Sequence, residues 1–357
     1  MHLFTPFECR DVTARNRVMV SPMCQYSCED EDGLATDWHL VHLGSRASGG
    51  AGIVMTEATA VTPRGRISPQ DLGIWSDDHA EALEPVTEFI ASQSALSGIQ
   101  LAHAGRKAST FRPSEGGDPV HGESGWTPVG PTEEPWPHDE PLATERLDSA
   151  GIDRVKRAFV DAAVRAIEAG FDVLEIHAAH GYLLHEFLSP VTNTREDEYG
   201  GDFDGRTRLL EEVVTDIRAA VPEGTPVFVR ISATNWLADR RSWTVESSAR
   251  LAKKLRPLGV DLVDVSAGGI HPDQQVPDTG PHYQVPYAER VGESDVPVGA
   301  VSGITTAEGA DEVIRNGRAD LAVVGREHLR DPYFALRAAE ALDRDAPVPR
   351  QYTRGFQ

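Results

Sequence analysis

Eight short apolar runs, each followed by a stretch of helical period, constrain this chain more than any other feature. The runs cover Val18 to Ser21, Gly52 to Thr56, Ile99 to Ala102, Val173 to Ile176, Val227 to Ile231, Leu262 to Val265, Val298 to Val301 and Leu321 to Val324. Helical segments are expected between them, at Asp37 to Ala47, Asp77 to Ala95, Gly151 to Glu168, Gly205 to Ala219, Val245 to Leu255, Tyr287 to Val291, Thr306 to Asn316 and Pro332 to Ala341. Strand and helix in alternation imply a parallel sheet, and eight strands favour closure into an α/β fold of the (β/α)8 TIM-barrel kind. An open sheet would be expected to carry a Gly-x-Gly-x-x-Gly turn after its first strand, and none stands there. At 357 residues the chain is read as a single domain, 1–357.

One stretch breaks the rhythm. Residues 112–145, between the third strand and the helix before the fourth, are dense in Pro, Gly and acidic residues and are too long for an ordinary loop. They are expected to form a lid or hairpin over the barrel mouth; Trp126 and Trp136 argue against a disordered acidic linker.

Composition narrows the partners. A formal net charge of −22 offers no basic stripe for nucleic acid or an anionic membrane. No run approaches the roughly 18 apolar residues that cross a bilayer, and the start of the chain resembles no signal peptide, so the expected location is cytoplasmic. The three cysteines, Cys9, Cys24 and Cys28, give neither a disulfide framework nor a cluster site. Of 34 basic residues four are lysine: Lys107, Lys156, Lys253 and Lys254. Acidic excess with few lysines suggests a halophilic protein, the alternative being an acidic protein from a high-GC genome.

Active sites in such barrels occupy the carboxyl ends of the strands. Here those ends carry Ser21-Pro22-Met23-Cys24-Gln25-Tyr26, Glu57-Ala58, Gln100 with His103 to Arg106, His177, His180 and Tyr182, Arg230, Ser266 to Gly269, Ser302-Gly303 and Gly325-Arg326. Each end is polar or glycine-rich. Glycines after strands seven and eight stand where such barrels bind phosphate, with Arg326 as counter-ion. Two imidazoles at a strand end suit hydrogen bonding to one substrate oxygen, with Tyr182 beside them as a proton donor. His177 and His180 could instead be metal ligands or capped core histidines, but His185-Glu186 lacks the spacing of a zinc helix, and no metal is expected.

These residues resemble the old yellow enzyme family of flavin-dependent ene-reductases, in its bacterial NADPH dehydrogenase branch. The resemblance runs from Phe4 to Gly355. It rests on Ser-Pro-Met-Cys-x-Tyr at 21–26, Gln-Leu-x-His-Ala-Gly-Arg-Lys at 100–107, His-Ala-Ala-His-Gly-Tyr-Leu at 177–183, Asp-Glu-Tyr-Gly-Gly at 197–201 and Gly325-Arg326-Glu327 through Arg330-Asp331-Pro332. It implies FMN lying against Ser21, Pro22, Met23, Cys24 and Ala58, with Gln100 and Arg230 at the pyrimidine edge and Gly303, Gly325 and Arg326 at the phosphate. It implies NADPH or NADH as electron donor and an activated alkene, an enone or nitroalkene, as acceptor in ping-pong turnover. His177 and His180 would hold the acceptor's oxygen, Tyr182 would protonate its α-carbon, and Tyr26 would add a contact. The tail at 342–357 implies a homodimer or homotetramer in which Arg354 lines the partner's pocket.

Two other readings stay open at this level. A dienoyl-CoA reductase-like flavoenzyme would carry an iron-sulfur cluster and further domains, whereas no cysteine follows Cys28. A flavin redox sensor working through Cys24 would have no need of a proton donor such as Tyr182.

Overall fold

The computed structural model describes residues 1–356. Eight parallel strands close into a barrel: β1 (Val18–Val20), β2 (Ile53–Ala60), β3 (Leu96–Ala102), β4 (Val173–Ala178), β5 (Val227–Ser232), β6 (Leu262–Ser266), β7 (Val298–Val301) and β8 (Leu321–Val324). Neighbours in sequence are neighbours in the barrel, and β8 returns to β1 through Ala322 opposite Val18 and Val324 opposite Val20. Around them stand α1 (Asp37–Ser48), α2 (Asp77–Ser92), α3 (Ser149–Glu168), α4 (Leu183–Leu188), α5 (Phe203–Ala220), α6 (Val245–Leu255), α7 (Val285–Gly292), α8 (Ala307–Arg315), α9 (Arg326–Arg330) and α10 (Phe334–Ala341). Caps fix several helix starts: Asp148, Asp202, Thr244 and Thr306 each accept a hydrogen bond from the backbone N–H three residues on. Among the described residues no helix is long and apolar enough to cross a membrane.

Side chains alternate along each strand, so every second residue points into the barrel. Outward residues such as Leu174, Ile176, Val229 and Val263 join the large core under the helices. Inward residues at the strand starts form a second, smaller core from Met19, Ile53, Val173, Phe228, Leu262 and Leu321. Two residues further along β4, β5 and β6 the inward positions become Glu175, Arg230 and Asp264, with Gln100 of β3 opposite Glu175, all buried. The barrel therefore has an apolar floor and a charged middle layer.

Three features depart from the sequence expectations. An antiparallel pair, Phe7–Cys9 with Val12–Ala14, closes the floor, with Phe7 and Ala14 packed into its small core. These strands are three residues long, too short for alternation to be legible. β2 runs to Ala60 rather than Thr56 because a bulge between Met55 and Ala58 restarts its register with β3. The Thr56 hydroxyl fills the gap by accepting from the Gln100 N–H at 3.2 Å. In residues 112–145 the first strand of a small pair appears, Val129–Gly130, whose partner Glu145–Arg146 runs parallel to it, so the pair is not a hairpin. The same segment carries Trp136 to the mouth, where its ring lies under the Lys107 ammonium at 4.5 Å.

Candidate active site

At the carboxyl ends the backbone bends sharply wherever the chemistry sits. Tyr26, His180 and Ser302 all have positive φ (54°, 57° and 117°), a conformation costly for residues with a side chain, and Gly181, Gly269 and Gly303 share it. The turns after β4 and β6 touch backbone to backbone. A Cβ on Gly181 would collide with the Gly269 carbonyl, and one on Gly269 with the backbone of His180.

This contact brings His177, His180 and Tyr182 together. The His177 ring meets both of the others edge to face, each at 5.1 Å between centroids. His177 Nδ1 accepts the Ala179 N–H at 3.2 Å, so its proton is assigned to Nε2. His180 Nε2 lies 2.8 Å from the Ser266 hydroxyl. The Ser266 hydroxyl also has Gln284 Oε1 at 3.4 Å; assigning its proton to the shorter contact places the His180 proton on Nδ1 and leaves each ring one N–H to offer. Burial, reinforced by the positive charge of Arg230, drives both imidazole pKa values well below 6.5, so both rings are neutral donors. Burial likewise raises the Tyr182 phenol well above its usual value, which keeps its proton in place until something basic meets it.

The remaining strand ends surround this trio. Ser21 and Pro22 are buried, and Ser21 Oγ accepts from Arg230 Nη2 at 3.1 Å. Met23, Gly303, Gly325 and Arg326 line a cleft of about 470 Å³ at the ends of β7 and β8. Arg326 is exposed at its rim and has no carboxylate partner among the described residues, while the buried Ser302 hydroxyl has no hydrogen-bond partner there. Ala58 and Tyr182 face each other across a narrow gap that Asp71 also lines. Burial raises the Cys24 thiol well above its usual range, so the sulfur is a neutral thiol, and the Tyr26 hydroxyl adjoins it. Arg354 is exposed on the turn Arg350–Gly355 and does not line the cleft.

Beneath the cleft Gln100 Nε2 donates to Glu175 Oε1 at 2.7 Å, which leaves the Gln100 carbonyl free to accept. Arg230 Nε lies 3.0 Å from Asp264 Oδ2, an ion pair bent too far to count as a hydrogen bond. Two carboxylates thus flank one guanidinium, and Glu175 is pushed up to about 8 by burial and by the charge of Asp264. Arg230 Nη1 makes no hydrogen bond among the described residues.

Glu175 and Asp264 were missed as site residues by sequence reasoning, although both lie in expected strands, and Ser266 was noted at a strand end but given no role. The signal for the two acids was available: a carboxylate inside an otherwise apolar run, at an inward position, is costly and needs a reason. Glu57 was also passed over. Its carboxylate accepts from the Gln25 N–H at 2.7 Å and lies 3.4 Å from His39 Nε2, which pins the turn that carries Cys24 and Tyr26.

An exposed cation and turned backbone at one end, and an acceptor–donor pair at a second, match a group with a phosphate at one end and an imide-like ring edge at the other. That is the pattern of FMN, and the residues fit it. The fold and this donor set define a flavin-dependent oxidoreductase barrel. The chain belongs to the NADH:flavin oxidoreductase / NADH oxidase family, whose model matches residues 2–345. It is 45% identical over 356 residues to an NADPH dehydrogenase of Geobacillus thermodenitrificans, covering 99% of this chain and 98% of that one. Among solved structures it resembles an old yellow enzyme homologue from Zymomonas mobilis, with a TM-score of 0.78 at 27% identity, over 97% of this chain and 94% of that one. It also resembles histamine dehydrogenase from Rhizobium sp. 4-9, with a TM-score of 0.80 at 27% identity over 95% of this chain. There the chain spans about half of the larger protein, 48% of its length. The chain is thus an FMN oxidoreductase of the old yellow enzyme kind.

Proposed function

We propose that the chain is an NADPH-dependent ene-reductase that saturates the activated C=C bond of enones or nitroalkenes. The observation that carries this reading is the meeting of His177, His180 and Tyr182 at the end of β4, three neutral groups that keep their protons. Reduced FMN held there would supply the hydride for the β-carbon.

The chain's own residues do the rest. His177 and His180 donate to the acceptor's oxygen, where enolate-like charge grows, and each such donor is worth about 3 kcal/mol in the transition state. Tyr182 gives its proton to the α-carbon. Gln100 would accept from, and Arg230 would donate to, the pyrimidine edge of FMN, where the Arg230 charge would favour an electron-rich ring. Ser21, Pro22, Met23, Cys24 and Ala58 would form the surface under the ring, and Gly303, Gly325 and Arg326 would hold the phosphate. Cys24 acts as a weak donor and not as a nucleophile, as its raised pKa favours. Tyr26 contacts the acceptor. Nicotinamide and alkene use one face in turn, which gives ping-pong kinetics.

The same reading includes a cytoplasmic homodimer or homotetramer in which Arg354 enters the partner's pocket, a lid formed by 112–145, and a salt-adapted acidic surface. Rapid mixing tests the core of it. Tyr182→Phe should slow reoxidation by 2-cyclohexenone by about 100-fold and leave reduction by NADPH unchanged; equal loss of both half-reactions would remove Tyr182 from its role. A flavin redox sensor would show reduction by NADPH and no reoxidation by any alkene.

A further inference from the structure

Lys107 is one of four lysines among 34 basic residues, and the other three lie on the outer helices α3 and α6. It stands at the mouth instead. Its Nζ donates to the His180 carbonyl at 2.9 Å and approaches the Gly269 carbonyl at 3.3 Å, so it ties together the two turns that build the site. The same ammonium lies 5.0 Å from the centre of the Tyr182 ring and 4.5 Å from that of Trp136. Among the described residues no other cation sits over the Tyr182 ring. An arginine fork is built for paired acceptors in one plane, whereas a compact ammonium serves two carbonyls and two ring faces at once.

Tyr182 has a difficulty that this arrangement addresses. Its phenol is buried, so losing its proton costs more than it would in water. We propose that Lys107 is a positioning residue that supplies the counter-charge for the phenolate formed on Tyr182, with Trp136 shielding that charge from water. This rests on the reading of Tyr182 as proton donor. In the step concerned, the α-carbon C–H bond forms as the Tyr182 O–H bond breaks. The O–H electron pair stays on Oη, and a solvent proton restores the phenol before the next turnover.

Burial holds the Lys107 pKa down to about 8, with Arg106 lowering it further and Glu186 opposing. Its charge is present below that value and lost as pH rises through it. The groups facing it are Arg106 and Glu186, the neutral His177, His180 and His185, His138 and Trp136 of the 112–145 segment, and Tyr182 itself. Glu186 is held up to about 8 as well, so it has to be separated from Lys107 by substitution.

The test uses the flavin-loaded enzyme and its two half-reactions. Lys107→Met should slow reoxidation by 2-cyclohexenone about tenfold at pH 7, the 1.4 kcal/mol scale of one desolvated cation–ring contact. Reduction by NADPH should stay within about twofold. Lys107→Arg should recover part of the rate, since it restores the charge without the ammonium's fit to both carbonyls. Wild type and Glu186→Gln should lose reoxidation rate above pH 8, and Lys107→Met should not. In a Tyr182→Phe background Lys107→Met should cost nothing more. A Lys107→Met enzyme with wild-type reoxidation, or an equal loss in the Tyr182→Phe background, would overturn the proposal and leave Tyr182 in its role. A Tyr182→Phe enzyme that reoxidises normally would overturn both. Flavin absorbance and melting temperature report whether each variant folds, and Lys107→Gln replaces Lys107→Met if that variant does not.

Discussion

The floor and the middle layer of the barrel are built by the same strands, one pleat apart, and are opposite in chemistry. Val173, Phe228 and Leu262 point inward at the floor; Glu175, Arg230 and Asp264 point inward two residues later. Below, the packing is apolar and closed by the amino-terminal pair. Above it, burial is paired with charge, and both Asp264 carboxylate oxygens and Glu175 Oε2 are left without a hydrogen bond. The floor holds the barrel shut, whereas the middle layer costs stability to keep a guanidinium under the cleft.

Substitutions can break this contrast from either side. Phe228→Ala opens a cavity in the floor and should cost about 4 kcal/mol of stability, read by denaturant unfolding, while any protein that stays folded keeps its flavin. Arg230→Met should cost about 3 kcal/mol near pH 8, because it strands two buried carboxylates, and should also weaken flavin binding, measured by fluorescence titration. A Phe228→Ala enzyme that loses flavin as readily as Arg230→Met would erase the distinction.

The contrast was only partly legible in the sequence. The eight strands and the barrel could be read because outward residues keep each run apolar, and the strand-end motifs stood out because glycine and histidine interrupt those runs. The charged layer was harder to see. Glu175 and Asp264 sit inside runs that look like ordinary buried strands, and their meaning depends on the stagger that sets Arg230 opposite Asp264 across β5 and β6. Lys107 lay within a quoted motif, yet it meets Trp136, 29 positions on, and Tyr182, 75 positions on, contacts that no local period reveals.

A pH series sharpens the middle layer further. Glu175 is raised to about 8 from an unfolded value near 4.5, so between those values the unfolded chain releases a proton that the folded one keeps. Stability should therefore fall as pH rises through this window, by about 1 kcal/mol between pH 6 and pH 7 from this group. Glu175→Gln should flatten that slope in thermal melts; an unchanged slope would place the proton elsewhere. His177 and His180, neutral across the same window, should add no inflection near pH 6.5 to alkene reduction. The smallest expected effect is at Ser266. Removing its hydroxyl frees the tautomer of His180, and Ser266→Ala should slow reoxidation several-fold, a difference of about 1 kcal/mol, with stability nearly unchanged.

The backbone contact between Gly181 and Gly269 also bears on engineering. Loop exchange is a usual way to change what a barrel of this kind accepts, and it treats each strand-end loop as a separate cassette. Here the loops after β4 and β6 are interlocked, since neither glycine tolerates a side chain. They would have to be transplanted as a pair, with Lys107 as the bolt between them. Apart from Trp136, which lies against Lys107, the segment at 112–145 offers freer ground for variation.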